Sequence, residues 1–177
     1  MSDSKFSFKQ FELHQELCAM KVGTDSVLLG AWANIPAQGY ILDIGAGTGI
    51  LSLMAAQRST NTYITAIEID TPAAQQAREN IARSNWAHRI EVINGDFTQI
   101  TDRFDHPFNA IISNPPYIPR ADIPGLDASV KDYEPLMALD GGEDGLDFYR
   151  SIVEKWKDAL VPGGRMYFEV GIGQADD

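Results

Sequence analysis

The chain has 177 residues, 44% of them hydrophobic, and a formal net charge of −11 from 14 basic and 25 acidic residues. This composition predicts one globular domain with a sizeable core, its single cysteine (Cys18) excludes an internal disulfide framework, and its acidity disfavours non-specific binding to nucleic acid. We expect a cytoplasmic protein, because no stretch has the pattern of a secretion signal or a membrane span.

Strand and helix patterns alternate along the chain from residue 40 onwards. Short apolar or β-branched runs predict strands at Tyr40–Ile44, Tyr63–Ile69, Arg89–Ile93, Phe108–Ser113 and Arg165–Val170. Helices are predicted at Ile50–Arg58, from the cap Thr71 and Pro72 to about Arg83, and at Gly145–Leu160, which Pro162-Gly-Gly ends. This alternation is typical of an α/β fold with a doubly wound, mostly parallel sheet.

A glycine-rich turn follows the first predicted strand, with the pattern Asp-x-Gly-x-Gly-x-Gly over residues 43–49. Glycines at such a turn let a ligand approach the backbone closely. A dinucleotide fingerprint would need a glycine where Ile50 stands, and Asp43 would repel a pyrophosphate. The turn therefore favours S-adenosylmethionine, which carries two cationic groups and no phosphate, over NAD.

Acids also follow the next two predicted strands. Glu68 lies about 20 residues beyond the glycine turn, where an acid accepts hydrogen bonds from ribose hydroxyls. Asp96 could accept a hydrogen bond from an adenine amino group, with Phe97 packed on the ring. Each acid alone is more often a solvated surface residue, but three at the ends of successive strands indicate one nucleotide site.

The motif Asn114-Pro115-Pro116-Tyr117 follows the fourth predicted strand. Two successive prolines make a stiff loop. The Asn114 side-chain oxygen and the Pro115 carbonyl can hold both hydrogens of a planar NH2 group while its face stacks on Tyr117. The alternative is a Pro-Pro turn with an incidental tyrosine and no role in function. No metal-ligand spacing is present, and the three histidines receive no catalytic role.

These motifs resemble class I S-adenosylmethionine-dependent methyltransferases, and Asn-Pro-Pro-Tyr resembles the members that methylate planar amino or amide nitrogens. The resemblance covers essentially the whole chain and implies a single domain, residues 1–177. In it, residues 1–36 close over the cofactor and residues 37–177 form a Rossmann-like core. The implied catalytic residues are Asn114, Pro115 and Tyr117. The implied cofactor-binding residues are Thr24, Asp43, Gly45, Gly47, Gly49, Glu68, Asp96, Phe97 and Asn114.

The resemblance divides between two substrate classes. Residues 8–11 and 18–32 are similar to bacterial tRNA adenine-N6 methyltransferases, whereas residues 114–118, 134–139 and 141–150 are similar to glutamine-N5 methyltransferases of peptide release factors. A spliced or engineered chimera would explain this division. The second half is acidic and forms the acceptor wall in this family, which favours release-factor glutamine. A tRNA adenine is the alternative acceptor, and a catalytically inert cofactor-binding scaffold is a third hypothesis.

Class I methyltransferases normally continue beyond the fifth strand with a helix and an antiparallel hairpin, for which this sequence has no counterpart. The fifth predicted strand, Arg165–Val170, would then be an exposed sheet edge. Exposed edges pair with other chains. We therefore expect either homo-oligomerisation through this strand or a chain that is truncated.

Overall fold

A computed structural model of the chain describes residues 5–131 and 134–175. Its strands are β1 (Lys5–Ser7), β2 (Glu12–His14), β3 (Gln38–Ile44), β4 (Asn61–Glu68), β5 (Ile90–Asn94), β6 (Phe108–Ser113) and β7 (Leu160–Phe168). Its helices are α1 (Thr24–Trp32), α2 (Ile50–Arg58), α3 (Thr71–Ala82), α4 (Ala128–Lys131), α5 (Leu136–Leu139) and α6 (Asp147–Trp156). Among the helices described, none is long and apolar enough to cross a membrane.

Five strands form a parallel sheet in the order β5-β4-β3-β6-β7, with β3 paired to β4 on one side and β6 on the other. The order along the chain reverses between β3 and β6, and ligands of open α/β sheets bind at the carboxyl ends of the strands at such a switch point. The predicted α/β fold with a doubly wound, parallel sheet is confirmed. Within the described residues, no strand pairs with the outer edge of β7.

Apolar clusters cover both faces of the sheet. On one face, α1, α2 and α3 contribute residues such as Leu29, Leu53 and Ile81. On the other face, Ile152 and Trp156 of α6 are fully buried against the sheet. Because β3 is covered on both sides, its run Ile41–Ile44 is completely buried, and its carboxyl end is held rigidly.

The structure corrects several predicted boundaries. The side chain of Asp70, not Thr71, caps α3 by accepting a hydrogen bond from Ala73 N at 3.0 Å. The Pro-Gly-Gly stretch lies inside β7, because a register shift against β6 admits the extra residues, so the strand begins at Leu160 rather than Arg165 and ends at Phe168. The antiparallel β1–β2 pair and helix α1 were not predicted.

Candidate active site

A cleft of about 940 Å³ lies at the carboxyl ends of the central strands. One side, here called the glycine-loop wall, consists of Gly45, Gly47, Glu68, Asp70, Gly95, Asp96 and Phe97. The other side, the proline-loop wall, consists of Asn114, Pro115, Pro116, Pro135, Leu136, Met137, Ala138, Asp140 and Asp147. Small-molecule sites span roughly 300–1,000 Å³, so this cleft has room for a nucleotide and a second planar group.

The glycine loop presents its backbone to the cleft. Gly45 and Gly47 have φ values of 74° and 54°, a region that favours glycine, and a Cβ built on either would meet no atom within 4 Å. Gly49 instead precedes α2 as its N-cap, and a Cβ there would lie 3.5 Å from the Ala77 side chain. Gly45 and Gly47 therefore leave ligand space, whereas Gly49 serves packing against α3.

Glu68 ends β4 as predicted and bridges two backbone groups. Its Oε2 accepts a hydrogen bond from Gly47 N at 2.7 Å, and its Oε1 accepts one from Asp70 N at 2.8 Å. Each carboxylate oxygen retains a second lone pair, so the side chain can still accept from ligand hydroxyls. The carboxylate thus fixes the shape of the glycine loop while lining the cleft.

Asp43 lies beneath the cleft rather than in its lining. It is fully buried in β3, and its Oδ2 accepts a hydrogen bond from Ser52 Oγ at 2.6 Å. Its Oδ1 is buried with no hydrogen-bond partner among the described residues. Burial raises the pKa of Asp43 to about 7. Asp43 was predicted to contact a cofactor directly. In the structure it instead forms a hydrogen bond that joins β3 to α2 beneath the glycine loop.

Asp96 and Phe97 lie side by side in the cleft lining. Asp96 Oδ1 accepts hydrogen bonds from both the backbone N and the Oγ1 of Thr98, at 2.9 and 2.8 Å. This turn fixes the carboxylate. Phe97 packs against the apolar cluster on the α6 face of the sheet. The pair occupies the predicted place beside Glu68, so the structure brings these three residues together.

The amino-terminal segment closes one end of the cleft through Cys18, Ala19 and Met20. Burial raises the pKa of Cys18 to about 12, so its thiol is neutral and acts as an apolar lining group. Thr24, which was expected to contact the cofactor, is exposed as the first residue of α1 and does not line the cleft. The loop before α1, which contains Cys18, Ala19 and Met20, lines the cleft where Thr24 was expected.

Two buried amides of α3 attach this segment to the domain. Asn80 accepts a hydrogen bond from His14 N and donates to the carbonyl oxygens of His14 and Thr48, all at 2.8–2.9 Å. Gln76, one turn earlier, accepts a hydrogen bond from Leu17 N at 3.1 Å. Asn80 therefore joins the amino-terminal segment and the glycine loop to the same helix.

Asn114 and Pro115 form the start of the proline-loop wall. Asn114 Nδ2 donates a hydrogen bond to Ser26 Oγ at 3.0 Å, which orients the amide. Within the described residues, no donor meets Asn114 Oδ1 or the Pro115 carbonyl oxygen. Both acceptors are therefore available to an NH2 group in the cleft, as the motif predicts.

Tyr117 lies behind this wall rather than in the cleft lining. Its half-buried phenol faces the carboxylate of Glu169, and burial together with the Glu169 charge raises the pKa of Tyr117 to about 12. The predicted stacking of its ring on an acceptor stays a prediction. Glu169 itself has its pKa raised to about 7 by burial and by the nearby Asp25 carboxylate.

The charged side chains known to line the cleft are acidic. Among the described residues, its lining includes no lysine, arginine or histidine and five carboxylates: Glu68, Asp70, Asp96, Asp140 and Asp147. Asp140 is paired with Arg120 at 2.8 Å, whereas no such pair is seen for Glu68, Asp70 or Asp96 in the described part of the chain. Apolar residues form much of the rest, with Leu136 and Met137 exposed at the proline-loop wall. Such a cleft attracts a cation and an uncharged planar group, and it repels phosphates.

The sequence did not point to several residues that build the site. Gln76 and Asn80 carried a readable signal, since they share the helical face of the buried Ala73 and Ala77, where an amide must find partners. Ser26 and Glu169 carried none, because their contacts with the proline loop join residues far apart in the chain.

Comparisons with known proteins match this chain to a family model, to curated relatives and to solved structures of the same fold. The family model of the methyltransferase small domain matches residues 18–123. A tRNA1(Val) (adenine(37)-N6)-methyltransferase of Bacteroides thetaiotaomicron is 55% identical over 120 residues, 66% of this chain and 49% of that protein. One from Erwinia tasmaniensis is 50% identical over 113 residues, 63% and 46% of the two chains. The chain spans about half the length of the curated relatives it matches.

A solved structure shares the fold across nearly the whole chain. The hMettl16 catalytic domain, in complex with MAT2A 3′UTR hairpin 6, superposes with a TM-score of 0.69 at 14% identity. The superposition covers 94% of this chain and 63% of that one. Identity at this level supports the sheet topology alone.

Proposed function

The chain belongs to the methyltransferase small domain family, and on that premise we propose that it transfers a methyl group from S-adenosylmethionine to the N6 amino group of an adenine in tRNA. The observation that carries the proposal is the pair of unpaired acceptors, Asn114 Oδ1 and the Pro115 carbonyl, at a cleft lined by carboxylates. The choice of adenine rests on the relatives, which are named as tRNA adenine methyltransferases at 50–55% identity.

The residues of the glycine-loop wall suit this cofactor. S-adenosylmethionine carries an ammonium and a sulfonium group, and the described residues of the lining offer carboxylates without a basic side chain. The open space above Gly45 and Gly47 is where the methionine part would lie against the backbone. Glu68 would accept from the ribose hydroxyls, while Asp96 and Phe97 would hold the adenine. A pyrophosphate cofactor such as NAD would be repelled by the same carboxylates.

When bound, the cofactor supplies an electrophilic methyl group on its sulfonium sulfur. The amino nitrogen of adenine is a weak nucleophile, because its lone pair is delocalised into the ring. Asn114 Oδ1 and the Pro115 carbonyl would accept its two hydrogens and favour the pyramidal nitrogen of the transition state, which is stabilisation specific to that state. The stiff Pro-Pro turn holds both acceptors at a fixed orientation to the glycine-loop wall.

The proposal also assigns the amino-terminal segment a cofactor-closing role within one methyltransferase domain. Support comes from Cys18, Ala19 and Met20 in the lining and from the ties to Gln76 and Asn80. Residues 1–4 of this segment lie outside the described residues. Homo-oligomerisation through β7 stays a prediction.

Release-factor glutamine is a second candidate acceptor, favoured by one observation. The family match ends at residue 123, and the part of the proline-loop wall from Pro135 to Asp147 lies in the portion that resembles glutamine methyltransferases. A carboxamide has the same planar NH2 group as adenine, so the Asn114 and Pro115 acceptors suit both. A junction between two methyltransferase families near Asn114 stays a prediction.

One experiment separates these readings. The purified chain is given S-adenosylmethionine with a radiolabelled methyl group, and unmodified tRNA and release-factor protein are tested in parallel. We expect label in tRNA that digests to N6-methyladenosine, with Asn114→Ala as the inactive control. Label in release factor alone would move the acceptor to glutamine. Cofactor binding without label in either would make the chain an inert scaffold.

A further inference from the structure

The segment that follows β7 lies against the Asn-Pro-Pro-Tyr loop. Its first residue, Glu169, donates a backbone hydrogen bond to Ser113 O at 3.3 Å and so continues the pairing with β6. The segment then turns back on itself. Gly171 N donates to Gln174 Oε1 at 2.8 Å, and Gln174 N donates to Gly171 O at 3.1 Å.

Gln174 contacts the backbone of Tyr117. Its Nε2 donates a hydrogen bond to the Tyr117 carbonyl oxygen at 3.0 Å, while its Oε1 accepts from Gly171 as described. Both the nitrogen and the oxygen of the Gln174 amide are therefore hydrogen-bonded. Gly171 lies so close to the Tyr117 ring that a Cβ built on it would be 3.1 Å from Cδ2. Backbone and ring of Tyr117 are thus both held by the same short segment.

Glu169 contacts the other end of Tyr117, at the phenol hydroxyl. The hydroxyl of Tyr149 donates to the Glu169 carbonyl oxygen at 2.8 Å, which fixes the backbone of Glu169. The carboxylate interacts with the Tyr117 hydroxyl, yet its Oε2 is buried with no hydrogen-bond partner in the described part of the chain. Asp25 adds a second negative charge nearby.

A carboxylate in this position lowers the stability of the fold, which is unfavourable if its role is only structural. A buried acceptor without a partner destabilises a fold, and a like charge beside it adds to the cost. A glutamine would avoid the buried charge, but its amide oxygen is a weaker acceptor for the Tyr117 hydroxyl than a carboxylate. The arrangement is better explained if the orientation of Tyr117 matters to the adjacent acceptor groups.

From these contacts we propose that Glu169 and Gln174 are positioning residues for methyl transfer, acting through Tyr117 on the acceptors Asn114 and Pro115. The inference rests on the proposed function, because it assigns these residues to the same reaction. Glu169 fixes the ring of Tyr117 and Gln174 fixes its carbonyl, so the loop that presents the two acceptors is held at its downstream end. Neither residue lines the cleft.

The kinetic test uses Glu169→Gln and Gln174→Met in the full chain. We expect kcat to fall roughly 10- to 100-fold in each, since small misplacements of reacting groups carry penalties of this size, with the calorimetric affinity for S-adenosylmethionine unchanged. Glu154→Gln, the same substitution at an exposed site on α6, is the matched control and should retain full activity. Unchanged kcat in both test variants would overturn this inference but leave the proposed function standing. A wild-type chain that methylates neither tRNA nor release factor would overturn the proposed function itself.

A double-mutant cycle then separates positioning through Tyr117 from general loosening of the fold. If Glu169 acts through the phenol hydroxyl, Tyr117→Phe removes the group on which it acts. Adding Glu169→Gln to Tyr117→Phe should then lower kcat no further. Additive losses in the double variant would overturn the route through Tyr117.

A titration provides a readout that does not depend on activity. The pKa of Glu169, followed by NMR of a 13C-labelled carboxyl group, is held near 7 by burial, by Asp25 and, in the lowering direction, by the Tyr117 hydroxyl. Tyr149 faces the same carboxylate. Tyr117→Phe should raise the pKa of Glu169 further, and Asp25→Asn should lower it. A pKa that ignores Tyr117→Phe would overturn the contact on which the inference stands.

Discussion

The two walls of the cleft are built in different ways. The glycine-loop wall follows directly from the ends of β3, β4 and β5, and its shape is set by backbone groups, as where Glu68 binds the amides of Gly47 and Asp70. The proline-loop wall is assembled from segments far apart in the chain, and side chains such as Ser26 and Gln174 hold it. The glycine-loop wall is thus shaped by local contacts at strand ends, whereas the proline-loop wall is held by contacts between distant parts of the chain.

The sharpest test of the glycine-loop wall is Gly47→Val. A valine would place its side chain in open cleft space and would be strained at φ 54°, so we expect binding of S-adenosylmethionine to weaken at least ~100-fold. Isothermal calorimetry measures this directly. Gly163→Val is the matched control, because Gly163 also has a positive φ and open space but lies in β7. Equal affinity in Gly47→Val and wild type would remove the cofactor assignment.

Asn114→Ala tests whether the proline-loop wall serves the reaction separately from cofactor binding. Losing one transition-state acceptor should lower kcat by roughly 10²–10³, by analogy with oxyanion-hole deletions, while the calorimetric affinity for the cofactor stays close to wild type. Ser26→Ala, which removes only the partner of Asn114 Nδ2, should cost less. Wild-type turnover in Asn114→Ala would reduce Asn114 to a turn residue.

Asn80→Leu tests whether the glycine-loop wall depends on its tie to the amino-terminal segment. The variant loses hydrogen bonds to His14 and Thr48, and unsatisfied buried groups cost about 1–3 kcal/mol each. We expect a weakening of cofactor affinity of about 10-fold together with a lower melting temperature. Gln75→Leu, on the exposed side of α3, controls for the change in helix sequence. A destabilised variant with unaltered affinity would show that the segment does not shape the site.

The last prediction is a pH dependence of stability from Asp43. Its pKa is about 7 in the folded chain against 3.8 for an ordinary aspartate, so the folded state keeps a proton that the unfolded state releases. Stability should therefore fall as pH rises through that interval and level off above it. Urea unfolding across this range should show a shallower pH dependence in Asp43→Asn. The exposed control Asp102→Asn should keep the wild-type slope.

The glycine-loop wall was more predictable from the sequence than the proline-loop wall. The predicted boundaries of α2 and β6 were correct, because they depend on local patterns. Gly47, Glu68 and Asp96 lie together in the cleft, and their contacts with a cofactor stay predictions. The acceptor side was predicted only as far as Asn114 and Pro115. The position of Tyr117 depends on packing against residues more than 20 positions away, which no local pattern encodes.

Local chemistry also explains the errors in the glycine-loop region. Thr71 and Asp70 are both good caps; in the structure Asp70 accepts from Ala73 N, while the Thr71 hydroxyl donates to Asn94 Oδ1 at 2.9 Å. Thr24 was assigned to the cofactor by resemblance alone. In the structure, the loop that ends at Val22 already closes that end of the cleft.

The glycines around Tyr117 limit how the acceptor wall can evolve. A Cβ at Gly141 would lie 2.8 Å from Tyr117 Cα, one at Gly145 would collide with its carbonyl oxygen, and one at Gly171 would press on its ring. A side chain at Gly141 or Gly145 would meet backbone atoms, and one at Gly171 would displace the side chains of Tyr117 and Gln174, so substitutions at these three positions carry a cost. Leu136 and Met137 also line the cleft, and their exposed side chains leave more room for change.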